Sequence, residues 1–401
     1  MLRCASVSVA SALVDREGTV TRLFRSFFQG GFECSTHRRA DGVRLDLIAS
    51  SGHDDLVLDD YLQLSSRGIF TVRDGVRWHL IERSPGEYDW SSFVPMLRAA
   101  HAAGVQVIWD LCHYGYPDHV DIWSEDFVDA FGSFAREAAI VALQENDPAP
   151  LFCPINEISY WAWAGAQTGR INPVTFERGA ELKRQLVRAS IAAIRAIRSV
   201  APDARFIVAE PLINVVSGSC EQEHVDRAEE YRQSQFEVHD MLTGERDPQL
   251  GGRPEFLDIV GVNFYPDNQW YLGGSTIPLG HHAYRPLHEM LHEVYRRYRR
   301  PLLISETGAE GRVKHYWLSQ ICEEVRLAID DGLPVQGICL YPIVDYHGWD
   351  NHRICQVGLL SLPDEAGTRR SCELLDRELR RQQLAISRTR TSDLFIEEQR
   401  A

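Results

Sequence analysis

LFCPINE (residues 151–157) runs apolar and then stops on Asn156 and Glu157. A solvated surface glutamate needs no apolar run ahead of it. The pattern reads as a buried strand that delivers a polar pair at its carboxyl end. Seven more short β-rich runs share this character: SFFQGGF (26–32), IFTVRDGV (69–76), VQVIWDLC (105–112), ARFIVAE (204–210), FLDIVGVNFY (256–265), PLLISET (301–307) and VQGICLYPIV (335–344). Between them lie helical patterns such as 93–104, 181–201 and 315–332, where apolar residues return every three or four positions. Gly332 and Pro334 supply the stop signal of the last of these.

Strand and helix alternating eight times predict parallel strands joined by crossover helices, and eight is the number that closes a (β/α)8 TIM barrel, an α/β fold. The competing open sheet with a dinucleotide site needs a G-x-G-x-x-G turn, and the chain has none. Residues 1–380 are read as one catalytic barrel and the polar stretch 381–401 as a C-terminal tail. The first residues, MLRCASVSVASALV, imitate a signal peptide but lack a bulky apolar core, so they are read as a ragged first segment.

Composition narrows the function. The 401 residues are 44% hydrophobic and 25% charged, a globular balance. Forty-two basic against 57 acidic residues leave a net charge of −15, which argues against nucleic acid as a partner. No apolar run is long enough to span a membrane. Nine scattered cysteines without a CxxC pair, and the lack of an N-x-S/T sequon, predict reduced thiols and a cytoplasmic location. Cys112-His113 and His281-His282 show no regular ligand spacing, so neither a metal nor a cofactor is expected. The oligomeric state stays open.

In such a barrel the strand ends converge on one mouth. They bring Arg73, His113, Asn156 with Glu157, Asn263 with Tyr265, Glu306, and Tyr341 followed by Asp345 and Trp349. Two carboxylates, Glu157 after the fourth strand and Glu306 after the seventh, would face each other across the cavity. Glycosidic hydrolysis needs this pair: one protonates the departing oxygen, the other attacks the anomeric carbon. A separation of about 5–5.5 Å gives retention, a wider one inversion. Arg73 is expected to keep Glu306 ionised, and the resulting negative neighbour to keep Glu157 protonated.

Taken in order, these residues resemble the clan of retaining (β/α)8-barrel glycoside hydrolases, and most of all glycoside hydrolase family 1, the β-glucosidases. Asn156-Glu157 and Ser305-Glu306-Thr307-Gly308 are similar to the family's acid/base and nucleophile motifs. VRDGVRW, HYGYP, VGVNFY and YPIVDYHGW resemble its second-, third-, sixth- and eighth-strand stretches. The resemblance implies Glu306 as nucleophile and Glu157 as acid/base. It implies Arg73 holding the nucleophile, Tyr265 beside it, His113 and Asn156 on the sugar, and Trp349 under the ring. It further implies a β-glycoside substrate.

Two departures stand out. The family carries a sugar-gripping Glu where this chain has Gly348, and a sugar-binding Gln whose nearest counterpart here is His37. A divergent glycone site follows, with His347 and Asp350 as candidate replacements. Trp161 and Trp163 are read equally as sugar platforms or as loop packing; Glu33, Trp123 and Trp270 have no assigned role. Singly, each residue has a plainer reading: Arg73 as a structural ion-pair partner, His113 as a rim histidine, Asn156 as a turn cap, Tyr265 and Trp349 as core aromatics. An endo-glycanase and a sugar-binding domain with decayed activity are the alternatives to a β-glycosidase.

Overall fold

The computed structural model describes residues 23–351 and 353–398. The first-segment reading falls outside the described residues. All eight expected strands form: β1 Phe28–Gly31, β2 Thr71–Gly75, β3 Gln106–Asp110, β4 Leu151–Cys153, β5 Arg205–Pro211, β6 Ile259–Asn263, β7 Leu302–Thr307 and β8 Val335–Leu340. Each pairs in parallel with its sequence neighbour, and β1 closes on β8 through Phe28↔Ile338 and Gly30↔Leu340. The result is a closed (β/α)8 barrel.

Helices cover the outside, among them α1 His53–Ser65, α2 Val94–Ala103, α3 Glu125–Gln144, α4 Gly179–Arg198, α5 Glu237–Thr243, α6 Leu287–Tyr298, α7 Lys314–Asp330 and α8 Glu373–Glu398. Local chemistry fixes their ends. At α3 the Ser124 hydroxyl accepts the Phe127 amide N–H at 3.3 Å, and Glu125 and Asp126 sit at the positive end of the helix dipole. The same helix buries Ala135, Ala138, Ala139 and Ala142, and small residues let α4 approach closely. The boundary expected at residue 380 falls inside α8, which packs on α7. Gln382 and Ile386 are buried there because the apolar period of the helix continues past it. Among the described residues no helix is long and apolar enough to cross a membrane.

Strand alternation sorts side chains into two cores. Ile108, Leu151, Cys153, Ile207, Ala209, Ile259 and Leu303 form one cluster with Phe24 inside the barrel. Their chain neighbours Val107, Trp109, Phe152, Phe206, Val208, Leu302 and Ile304 pack outward against the helices. Continuing the inward column up each strand reaches Arg73, Asp110, Asn263 and Ser305. The barrel interior therefore changes from apolar to polar towards the carboxyl ends. Gly31 lacks a side chain of necessity: a Cβ there would lie 2.1 Å from the Tyr341 ring.

The outward face of β2 carries a second polar feature. Buried His53 on α1 bridges Asp60 (Nδ1, 2.7 Å) and Asp74 (Nε2, 2.8 Å). Arg369 donates to both Asp60 oxygens at 2.5 and 3.0 Å, joining the segment before α8 to α1. Burial opposes the charged imidazole, but Asp74 and Asp60 outweigh it and raise His53 from 6.5 to about 9. Protonated, it leaves two cations against two anions. A raised base stabilises the fold fully below its unfolded value, and the contribution is lost as pH climbs through the folded one. We expect urea stability to fall by roughly 3 kcal/mol between pH 6.5 and 9.5. The fall should be largely absent in His53→Gln, and equal slopes in the two proteins would contradict the assignment.

Candidate active site

Arg73 is wholly buried at the centre of the polar layer. Its Nε and Nη2 donate to the two Asp110 oxygens, each at 2.8 Å. Nη2 also donates to Asn156 Oδ1 at 2.6 Å. Nη1 donates to Glu306 Oε1 at 2.7 Å and to the Ser305 carbonyl at 3.2 Å. One planar guanidinium thus ties together strands β2, β3 and β7 and the turn after β4, a geometry that lysine cannot reproduce.

Glu306 receives a second donor, the Tyr265 hydroxyl, on Oε2 at 2.9 Å. Glu157 is held differently. The Tyr114 hydroxyl donates to its Oε2 and the Asn263 amide to its Oε1, both at 3.0 Å. Ser305 Oγ donates to Asn263 Oδ1 at 2.6 Å and so fixes which way that amide faces. Among the described residues Glu157 has no cationic partner. Its backbone is left-handed, φ 41 and ψ 61, as is that of Tyr114 at φ 67. Such conformations are costly for non-glycine residues and persist where the surroundings hold them.

Both carboxylates line one cavity of about 330 Å³ at the carboxyl ends of the strands, together with Glu33, His113, Tyr160, Tyr265, Tyr341, Tyr346 and Trp349. A larger hollow of about 790 Å³ lies elsewhere, lined by residues such as Ser217, Arg227 and Leu272 and none of these groups. Burial pushes Glu306 up to about 7, with Glu157 adding to the rise against the pull of Arg73, His113 and Tyr265. Burial also raises Glu157; Glu210 adds to this, and the bonds from Asn263 and Tyr114 only partly offset it. The expectation that Arg73 keeps Glu306 ionised is corrected: burial and the charge of Glu157 outweigh the pull of Arg73. Both carboxyls are thus raised above the usual carboxylate range. The guanidinium bond favours the anion on Glu306, and Glu157 has no such bond.

The remaining expected residues divide. His113 lines the cavity: Nδ1 lies 3.1 Å from Asp110 Oδ2, and Nε2 lies 3.1 Å from the Asn156 amide nitrogen. Asn156 is buried beneath, with its amide also donating to the Tyr114 hydroxyl at 3.0 Å. Trp349 lines the cavity; His37 does not, and packs its ring on Trp349 at 4.6 Å between centroids. Burial, then the neighbouring His113, lowers His37 to about 3, so it stays neutral. His347 and Asp350 do not line the cavity either. Trp161 is fully buried and donates to the Asn172 carbonyl at 2.8 Å, a loop-packing role. Trp163 lies under Arg170, Trp123 under Arg178, and Trp270 packs against Tyr231 on a separate short sheet. Cys34, Asp110 and His113 place three donor atoms within 4.8 Å of one another. Asp110 is already taken twice by Arg73, whose charge opposes a cation there.

Tyr114, Asp110 and Glu210 escaped the sequence reading. Asp110 was open to it, as an inward position on QVIWD two residues past the apolar Ile108. Tyr114 lies in a loop beyond any strand period. Glu210, at the end of β5, is buried, accepts the Ser159 amide at 3.1 Å and so braces the turn that carries Glu157; burial raises it to about 7.

No protein-family model matches the chain, and no curated protein matches its sequence. The fold is the barrel that solved β-glucosidases adopt. A family 1 β-glucosidase from Thermotoga maritima superposes with a TM-score of 0.71 at 15% identity, over 89% of this chain and 97% of that one. The AHE enzyme from Alicyclobacillus herbarius gives 0.74 at 16%, over 91% and 99%. A β-glycosidase from Pyrococcus horikoshii gives 0.71 at 15%, over 88% and 93%. At these identities the likeness is one of fold.

Removing the guanidinium would leave buried Asp110 and Glu306 without the cation they share. Arg73→Ala should cost about 3–5 kcal/mol in urea unfolding. A loss below about 1 kcal/mol would contradict the central role given to this ion pair.

Proposed function

We propose that the protein is a retaining β-glycosidase that needs no cofactor, with Glu306 as nucleophile and Glu157 as acid/base. The observation that carries this reading is the unequal support of two carboxylates in one cavity: a guanidinium and a phenol on Glu306, two neutral donors on Glu157. In the first step a Glu306 oxygen bonds to the anomeric carbon as the bond to the leaving oxygen breaks, and Glu157 gives that oxygen its proton. Esterified Glu306 no longer repels charge on Glu157. Glu157 then takes a proton from water as its oxygen attacks the anomeric carbon and Glu306 departs.

The phenols suit their parts. Burial first, then the charge of Glu157, pushes Tyr114 well up, and Tyr265 is raised in the same way by burial and Glu306. Both stay protonated donors. His113 and Trp349 are the lining residues placed to meet the sugar, while Arg73 and Asn156 act from beneath. A cavity of about 330 Å³ is at the small end of ligand pockets. It suits a single ring and favours release of a terminal sugar over cleavage within a polymer. The chain length folded here is read as one catalytic unit, and a β-glycoside as its substrate.

A panel of aryl β-glycosides tests the reading. Glu306→Ala should lose hydrolysis and regain turnover with azide, which takes the vacated place and yields a glycosyl azide. Glu157→Gln should lower kcat/KM by about 10²–10⁴, most for poor leaving groups, and flatten the alkaline limb of the pH profile. Hydrolysis unchanged in Glu306→Ala would refute it.

A further inference from the structure

Glu33, two residues past β1, lines the same cavity and has no part in the steps above. It is 7% exposed, yet among the described residues no Lys, Arg or His pairs with it. One oxygen, Oε1, accepts the Ser35 amide at 3.1 Å and the Ser35 hydroxyl. The other makes no hydrogen bond within the protein. The residue is held in place by its flanks: the Phe32 amide donates to the Arg73 carbonyl at 2.9 Å and the Thr36 amide to the His113 carbonyl at 3.2 Å. Its charge reaches across the cavity, because after burial it is the next cause raising the Tyr346 phenol, and it contributes at Tyr341. Tyr346 belongs to the loop that carries Gly348, where the chain lacks the expected carboxylate.

The charge around Glu33 is one-sided. Glu33, Glu157, Asp267, Glu306 and Glu310 line the cavity, and among the described residues no Lys or Arg does. Glu310 is neutralised by Arg353; Glu33 is not. The free Glu33 oxygen opens into the cavity as an acceptor, and a ligand that displaces water there must supply a donor in its place. A phosphate, sulfate or second carboxylate in this space meets the repulsion of these carboxylates, and among the described lining residues no Lys or Arg offsets it.

We propose that Glu33 is a specificity-determining residue, whose free oxygen accepts hydroxyl or ammonium hydrogens of the sugar ring away from the anomeric carbon. The cavity thereby takes uncharged or amino sugars and rejects phosphorylated, sulfated and uronic ones. This rests on the glycosidase reading and names its substrate class.

The test compares wild type, Glu33→Gln and Glu33→Ala, each first checked for an unchanged unfolding midpoint. Substrates are the 4-nitrophenyl β-glycosides of glucose, glucosamine and glucose 6-phosphate. Wild type should prefer the first two, with the better of them naming hydroxyl or ammonium as the donor. Glu33→Ala should lose roughly 10- to 100-fold in kcat/KM on the preferred one, the range for a hydrogen bond to a charged group. Glu33→Gln should narrow the gap to the phosphorylated sugar by about tenfold or more. Calorimetric binding of deoxynojirimycin gives a readout that does not need turnover, and Kd should weaken about tenfold or more in Glu33→Ala. A wild type that prefers the 6-phosphate, a Kd unchanged in Glu33→Ala, or no binding to wild type would overturn the proposal. If hydrolysis instead proves indifferent to Glu306→Ala, the glycosidase reading fails, and the calorimetry still decides on Glu33.

Discussion

The buried Arg73 guanidinium is the constraint on which the rest of the site depends. A cation with no solvent contact is tolerated only if its donors are matched, and here Asp110, Asn156, Ser305 and Glu306 match them. Because these partners sit on different strands or the turns after them, the ion cluster holds the barrel mouth in one arrangement. It also sets the site's electrical asymmetry. The carboxylate touching the guanidinium is the one suited to remain an anion. The carboxylate beyond it, held by a phenol and an amide, is the one suited to hold a proton.

Strand β2 carries two such clusters back to back. Arg73 points into the barrel and Asp74 points out, where it meets His53 and the Tyr61 hydroxyl, at 2.8 and 2.6 Å. The inner cluster orients Glu306 and Asn156. The outer one joins β2 to α1 and, through Asp60 and Arg369, to the segment before α8. The two-residue period thus sends adjacent positions of one strand to the cavity site and to the helical layer. Polar bonds therefore anchor β2 on both faces.

Much of this architecture was legible in the sequence. The eight strands were visible because parallel barrel strands are buried on both sides and read as apolar runs, and Glu157 and Glu306 were visible because they end two of them. Arg73 stood out as a cation in the middle of such a run. What lay hidden was held by loops and by depth. Tyr114 donates to Glu157 from a left-handed loop position that no period announces. His37 stood as the nearest counterpart of a sugar-binding Gln, yet the fold packs its ring on Trp349 and leaves it out of the cavity lining. Glu33 was visible as a residue but not as a cavity group, since its orientation depends on contacts made to Arg73 and His113 far along the chain. The boundary read at 380 falls inside α8, where a charged surface masks the few apolar positions that dock it.

The central claim is that Glu306 bonds to the sugar while Glu157 handles the proton. The most direct measurement is incubation with a 2-deoxy-2-fluoro-β-glycoside bearing a good leaving group, followed by proteolysis and mass spectrometry. The account predicts a single fluorosugar adduct on the peptide containing Glu306. An adduct on Glu157, or rapid hydrolysis of the parent glycoside to the inverted anomer with no adduct formed, would contradict it.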